Sequence, residues 1–283
     1  MAHIEIDHST CIRCGKCIRV CPSYIFYSLR PDGEKIGLQN ESSCIDCGHC
    51  AAICPTGAVL HAEFPAVKLH EIDRSLLPAA EQLSLLIKSR RSNRAFSSLP
   101  LPEEFLEQIA EAAYRTPTAS NKQELSFTIV TDPEKLAAIS AYTIEDMART
   151  VKQLKRFRFL LRLFAPGILP VIPRFEEKVS QYTSGKDVIL RGCKAAVFFQ
   201  APHKERFGCQ DANLAYQNAS LMAESLGVAH FYTGFVCAVR RKKPLKDLLG
   251  IGDDIYAGMA LGMPAFAYPR YMDKKPARVK WIR

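Results

Sequence analysis

Eight of the eleven cysteines in this 283-residue chain fall between positions 11 and 54, in two runs of identical spacing. The first is Cys11-Ile-Arg-Cys14-Gly-Lys-Cys17-Ile-Arg-Val-Cys21-Pro22, and the second is Cys44-Ile-Asp-Cys47-Gly-His-Cys50-Ala-Ala-Ile-Cys54-Pro55. Both read C-x2-C-x2-C-x3-C-P. Three thiols this close can wrap around one centre, while the fourth is held off from them. Gly15 and Gly48 suit a tight loop in which backbone N–H groups approach sulfur, and Pro22 and Pro55 turn the chain after the fourth cysteine. In a secreted chain such density would suggest disulfides; in an intracellular one it points to metal or redox chemistry. The opening residues, Met1 to Thr10, lack the apolar run of a secretory signal, which favours the second case.

Structural zinc also uses C-x2-C pairs, but it takes four ligands and leaves the third cysteine of each run without a role. The pattern resembles that of two-cluster bacterial ferredoxins, in which the fourth cysteine of each run serves the other cluster. The resemblance implies one [4Fe–4S] cluster on Cys11, Cys14, Cys17 and Cys54, and a second on Cys44, Cys47, Cys50 and Cys21.

The next residues with chemical potential are basic. Ile87-Lys-Ser-Arg90-Arg91-Ser92-Asn93-Arg94-Ala-Phe96 gathers three arginines around a serine. Taken alone, this is also what a solvated helix end looks like, cations being favoured there by the macrodipole. Four more segments follow: Thr116-Pro117-Thr118-Ala-Ser-Asn121-Lys-Gln123, Asp211 to Asn218, Thr233-Gly234-Phe235, and Ala260-Leu-Gly262-Met-Pro264. In this order the five resemble the signatures of the nitroreductase family of FMN enzymes, over roughly residues 80–283.

That resemblance implies a specific set of contacts. Arg90, Arg91 and Arg94, with Ser92, would hold the FMN phosphate, for which arginine forks are suited. Pro117, Thr118 and Asn121 would reach a flavin at a homodimer interface from the partner subunit, and Thr233 and Gly234 would lie beside its ring. Lys274 and Lys275, with Arg270, match basic residues that close on the phosphate. Two departures bear on substrate. Gln123-Glu124-Leu125 replaces a common Gln-Pro-Trp, and Thr233 stands where many members carry Glu.

The charge is uneven. Lysine and arginine exceed aspartate and glutamate by 38 − 29 = 9, yet residues 1–70 hold 6 basic and 7 acidic side chains. The surplus therefore belongs to the rest of the chain. No helix-turn-helix, zinc-finger or single-strand platform accompanies it, so nucleic acid is not an expected partner. Residues 149–174 carry seven basic side chains and no acidic one, interleaved with Phe157, Phe159, Leu160, Leu161, Leu163 and Phe164. This segment reads as a helical lid or dimer arm in preference to a membrane-surface helix. Cys193, Cys209 and Cys237 are scattered and read as packed core thiols.

The length allows about two domains of roughly 150 residues. The expected division is 1–62 for a ferredoxin-like domain, 63–79 for a linker containing Pro65 and Pro78, and 80–283 for an FMN domain. Helical periodicity covers Leu83, Leu86 and Ile87, then Phe105 to Ala113 after Pro102. Strands are expected at Phe127–Val130, Ala195–Gln200 and Tyr256–Leu261. Between the last two, Asp211 is expected to cap a helix facing inward through Leu214, Leu221, Met222 and Leu226 and ending at Gly227. The fold class is α+β: a small two-cluster domain fused to a sheet flanked by helices.

The expected activity is an oxidoreductase that takes electrons from a low-potential donor through two clusters to FMN. The acceptor would be organic: a nitro compound, a quinone, an activated alkene or a flavin. Two alternatives remain beside it, an electron-transfer module serving a protein partner and an NAD(P)H-fed reductase with the clusters as outlet. The donor is ferredoxin or NAD(P)H, no catalytic side chain is required, and the compartment is the cytoplasm.

Overall fold

A computed structural model describes residues 4–28, 35–239 and 242–283. The chain divides into two compact units: Met1–Pro78 with Ala119–Gln123, and Ala79–Thr118 with Glu124–Arg283.

The first unit is built twice over. Its elements are β1 (Ile4–Ile6), α1 (Lys16–Val20), β2 (Phe26–Ser28), β3 (Ile36–Leu38), α2 (His49–Ile53) and β4 (Val59–His61). β1 pairs antiparallel with β4, placing Ile4 opposite His61, and β2 pairs antiparallel with β3. Each short helix follows a glycine in the left-handed region, Gly15 at φ 67° and Gly48 at φ 68°. Arg13 and Asp46, each one residue before the second cysteine of its run, share that backbone region at φ 59° and 48°. This is unusual for residues with a β-carbon and marks a loop bent to serve its cysteines. Ile4, Ile25, Phe26, Ile36 and Val59 form a small core, against which cysteines of both runs pack.

The second unit contains α3 (Ala80–Ser89), α4 (Glu103–Tyr114), β5 (Ser126–Val130), α5 (Pro133–Arg156), α6 (Arg158–Phe164), α7 (Val171–Thr183), β6 (Ala195–Ala201), α8 (Gly208–Ser225), β7 (Ala229–Tyr232), α9 (Gly234–Ala238), α10 (Lys243–Leu249) and β8 (Asp254–Gly262). The strands form one sheet in the order β5-β6-β8-β7, every neighbouring pair antiparallel. Every residue of β6 and β8 is buried. Alternate side chains feed two cores, Ala196, Phe198 and Ala260 on one face and Val197, Phe199, Met259 and Leu261 on the other. Burial on both faces explains why Ala195-Ala-Val-Phe-Phe reads as an uninterrupted apolar run instead of an alternating one.

Local signals set several helix ends. Asp132 caps α5 by accepting from the N–H groups of Glu134 and Lys135, and Pro133 occupies its first turn. The helix then buries Leu136, Ile139, Ile144, Met147 and Val151. α8 departs from expectation at its start. It begins at Gly208, with Phe207 as the preceding cap residue, so Asp211 lies inside the first turn, where its charge faces the positive end of the macrodipole. Its inward face also differs. Ala212, Ala215, Tyr216, Ala219 and Ala223 are buried, whereas Leu214 is exposed, because small side chains let α8 lie close to the sheet and α4. Gly227, at φ 69°, does follow the helix as expected.

Residues 149–174 form the end of α5, all of α6 and the start of α7. Phe157, Phe159, Leu160, Leu163 and Phe164 are exposed there. α3 buries none of its residues, leaving Leu83, Leu85 and Ile87 exposed. Of the three scattered cysteines, Cys193 and Cys237 are buried as expected, but Cys209 is exposed in the first turn of α8. No helix among the described residues is long and apolar enough to cross a membrane.

Two stability predictions arise here. A β-carbon on Gly258 would collide with Thr233 Oγ1 and lie 3.1 Å from the Phe198 ring. Gly258→Ala is therefore expected to cost about 1–3 kcal/mol through overpacking, read as a lower melting temperature. The second concerns His230, which is 1% exposed. Its Nδ1 lies 3.2 Å from Val228 O and its Nε2 3.0 Å from Ser220 Oγ, the pattern of a neutral ring that donates from Nδ1 and accepts at Nε2. Burial holds its pKa below the ordinary histidine value. The unfolded chain then binds this proton more readily, so stability is complete above about pH 6.5 and falls as pH drops below it. Melting temperatures followed from about pH 7 to pH 5 should decline less steeply in His230→Gln.

Candidate functional site

The two cysteine runs do not each enclose their own centre. One cavity is lined by Cys11, Cys14, Cys17 and Cys54, with Arg13, Lys16 and Val59. Another is lined by Cys44, Cys47, Cys50 and Cys21, with Ile25, Phe26 and His61. Three cysteines of a run precede or open a short helix, and the fourth ends it, facing the other cavity. The backbone contributes as well. Ile25 N–H donates to Cys21 Sγ at 3.4 Å, and Asp46 N–H donates to Cys44 Sγ at 3.4 Å.

These thiols suit a cationic centre better than they suit each other. Burial pushes Cys50 up to about 11, and also raises Cys17 and Cys44. Burial acts on Cys54 in the same direction, but N–H groups of Thr56, Val59 and Ala58 and the Thr56 hydroxyl outweigh it and hold the thiol below its ordinary value. Gathering four thiolates in each cavity thus needs metal charge to offset desolvation and mutual repulsion. The donor set, four sulfurs with backbone N–H groups aimed at them, fits iron–sulfur ligation.

Sequence spacing did not single out three neighbours of the second cavity. His61, 3% exposed, ends β4 with Nε2 3.9 Å from Cys44 Sγ and 3.8 Å from Asp46 Oδ1. Asp46 Oδ1 is buried without a partner within hydrogen-bond distance among the described residues. Asn121 donates its side-chain amide to Ile45 O at 3.2 Å and Asp46 O at 2.7 Å. The family resemblance gave Asn121 to a flavin; here its amide grips the loop between Cys44 and Cys47.

In the second unit the remaining predicted residues fall into separate groups. Arg90 is the C-terminal cap residue of α3. Burial pushes the Tyr216 hydroxyl up to about 12, with the charges of Arg90 and Arg94 acting against it, so both arginines lie in its field. Arg94 also stacks over Phe231, 5.3 Å from the ring centroid, and donates to Ser92 O at 3.2 Å. Tyr216 meets Tyr232 edge to face at 4.8 Å. Arg91 lines a different cavity of about 990 Å³ together with Asn93, His230 and Arg270. Its Nη2 is buried without a hydrogen-bond partner among the described residues.

Thr233 precedes α9, with Gly234 as the first residue of that helix. Its Oγ1 is likewise buried and unpartnered among the described residues. Pro117 is exposed and Thr118 half-buried just before the segment Ala119–Gln123. Lys274 and Lys275 are exposed in a C-terminal stretch without helix or strand. The unpartnered polar atoms of Arg91 and Thr233, and the two arginines whose charge acts on buried Tyr216, are groups suited to an anionic ligand.

Two family models match separate parts of the chain. Residues 87–263 match the Nitroreductase family, and residues 3–55 match a 4Fe-4S dicluster domain. An Archaeoglobus fulgidus protein bearing the name NADH dehydrogenase/NAD(P)H nitroreductase is 26% identical over 187 residues, 65% of this chain and 86% of that one. A Bacteroides fragilis nitroreductase with bound FMN superposes with a TM-score of 0.58 at 20% identity, covering 71% of this chain and 99% of that chain. A Desulfitobacterium hafniense nitroreductase with bound FMN does so at 0.54 and 19%, covering 72% and 100%. At these identities the two structures establish a shared fold.

Proposed function

Since the chain belongs to the Nitroreductase family and carries a 4Fe-4S dicluster domain ahead of that unit, we propose that it is an FMN- and iron–sulfur-dependent oxidoreductase that reduces an organic acceptor. The observation that carries the reading is the sorting of eight cysteines into two four-sulfur cavities within a chain whose other unit has the nitroreductase fold. Bound clusters would supply single electrons and bound FMN would supply them in pairs, a conversion that neither group performs alone.

The protein's own residues do the holding. Cys11, Cys14, Cys17 and Cys54 take one cluster, and Cys44, Cys47, Cys50 and Cys21 take the other. Arg90, Arg91, Ser92 and Arg94 supply charge and hydrogen bonds for the FMN phosphate, with Lys274 and Lys275 added from the C-terminal stretch. Thr233 and Gly234 border the ring, and Pro117 and Thr118 complete the site from a second copy, whereas the Asn121 amide is taken up by Ile45 O and Asp46 O. A homodimer is supported by the exposed apolar side of α3 and by exposed Phe266, Tyr268, Met272 and Trp281 near the C-terminus. The segment 149–174 acts as lid or dimer arm. We place the protein in the cytoplasm, where low-potential thiolate-bound clusters are kept.

Anaerobic rapid mixing of the loaded protein tests the direction of flow. Bleaching of the clusters first, by reduced ferredoxin and not by NADH or NADPH, is the expected result. Fast flavin bleaching by NAD(P)H with the clusters following would overturn it in favour of direct hydride supply, the reading to which the Archaeoglobus relative's name lends support. Turnover of no nitro, quinone, alkene or flavin acceptor would instead favour a module that serves a protein partner.

A further inference from the structure

We propose that His61 donates a hydrogen bond from Nε2 to the sulfur of Cys44 and thereby raises the reduction potential of the cluster held by Cys21, Cys44, Cys47 and Cys50, and of that cluster alone. The inference rests on the reading of these cysteines as cluster ligands and adds a positioning and tuning residue to it.

The proton's location follows from the ring's other nitrogen. His61 Nδ1 accepts the backbone N–H of Glu63 at 3.2 Å, so in the neutral ring the proton sits on Nε2. That nitrogen faces Cys44 Sγ at 3.9 Å and Asp46 Oδ1 at 3.8 Å. The ring has little freedom to turn elsewhere. It is buried, its backbone is paired with Ile4 in β1, and Phe64 meets it edge to face at 5.1 Å. Phe64 is itself set against Gly48, where a β-carbon would come within 3.1 Å of its ring. On the far side the loop is fixed by Asn121, whose amide bonds Ile45 O and Asp46 O. Loop and ring are thus clamped with a donor between a sulfur and a carboxylate.

A donor aimed at a ligating sulfur stabilises the charge added on reduction, and hydrogen bonds to sulfur are a main control on cluster potential. Low dielectric around a buried ring strengthens the effect. Asp46 works in the opposite sense, since its carboxylate disfavours an added electron; the imidazole N–H lies between that carboxylate and the thiolate and offsets it.

The twin cavity lacks the device. Thirty-three residues before His61 stands Ser28, and thirty-three before Asp46 stands Arg13. No histidine is among the residues lining the cavity of Cys11, Cys14, Cys17 and Cys54. Its tuning comes from Arg13 and Lys16 instead, charges on an exposed rim that solvent and salt screen.

The test is a dye-mediated anaerobic potentiometric titration of the loaded full chain, followed by electron paramagnetic resonance. Two midpoints are expected in the parent. His61→Phe, which fills the space without a donor, should shift one midpoint downward and leave the other in place, and His61→Gln, which restores an N–H, should recover most of the shift. Unchanged midpoints in His61→Phe at full iron content would overturn the proposal. Parent protein that binds fewer than two clusters would instead overturn the ligand reading beneath it. Should His61→Phe fail to load, the parent carrying isotope-labelled histidine still decides the matter. Since His49 also lines that cavity, the measurement is repeated in His49→Gln: pulsed resonance of the reduced protein should still detect one imidazole nitrogen coupled to one of two clusters, and absence of that coupling would refute the hydrogen bond.

Discussion

Cys54→Ser is expected to remove the cluster of the first run, not of its own. Iron should fall from about eight to about four atoms per chain, since each cluster carries four irons. The signals that disappear should match those lost in Cys14→Ser, while Cys21→Ser and Cys47→Ser should share the opposite pattern. The reason is the way the cavities are lined: Cys54 closes the cavity of Cys11, Cys14 and Cys17, and Cys21 closes the other. Iron analysis with resonance spectra of the four variants checks this directly. Loss of the Cys44, Cys47, Cys50 signal on replacing Cys54 would mean that each run serves itself. Stability should fall with the cluster, because Cys11, Cys17, Cys21, Cys44 and Cys54 all pack against the small core of Ile4, Ile25, Phe26, Ile36 and Val59.

The second large effect is expected at Arg90. Arg90→Ala should weaken FMN binding about ten- to a hundredfold, the loss of one charge-assisted hydrogen bond of about 1.5–3 kcal/mol at about 1.4 kcal/mol per tenfold. Arg90→Lys should recover only part of this, because an ammonium cannot reproduce a planar fork on phosphate oxygens. The arginine ends α3 and projects its field onto Tyr216, so its charge is already directed inward from the helix end. Fluorescence titration of flavin-stripped protein measures the affinities. Equal affinity in parent and Arg90→Ala would return Arg90 to the role of a solvated helix terminus.

What the chain reveals before folding depends on how far apart the interacting residues lie. The cluster cysteines are legible because all eight sit within two short runs whose spacing is itself a ligand geometry. The buried strand β6 is equally plain, since double burial leaves no polar position to interrupt it. α8 was harder. Asp211 looks like a cap, yet a turn from Pro202 to Phe207 starts the helix earlier, and alanines rather than leucines mark its inner face because closeness to the sheet matters more than side-chain bulk. The contacts that His61 and Asn121 make with the second cysteine run are illegible for a different reason. Their partners lie 17 residues away for Cys44 and 76 and 75 away for Ile45 and Asp46. No local pattern marks His61 as a neighbour of cysteine, and the segment around Asn121 points to a flavin instead of to the cysteine loop.

The stretch Ala119–Gln123 has a consequence for how such a protein can be divided or inherited. It belongs to the first unit although the chain on both sides of it belongs to the second. Cutting after Pro78 therefore does not release a finished electron-transfer module. The excised piece would lack the amide that grips the loop between Cys44 and Cys47, and the remainder would keep a short segment whose partner is gone. Exchange of the cluster-bearing part between related chains calls for two matched substitutions far apart in the gene, a border in space that no single border in sequence reproduces.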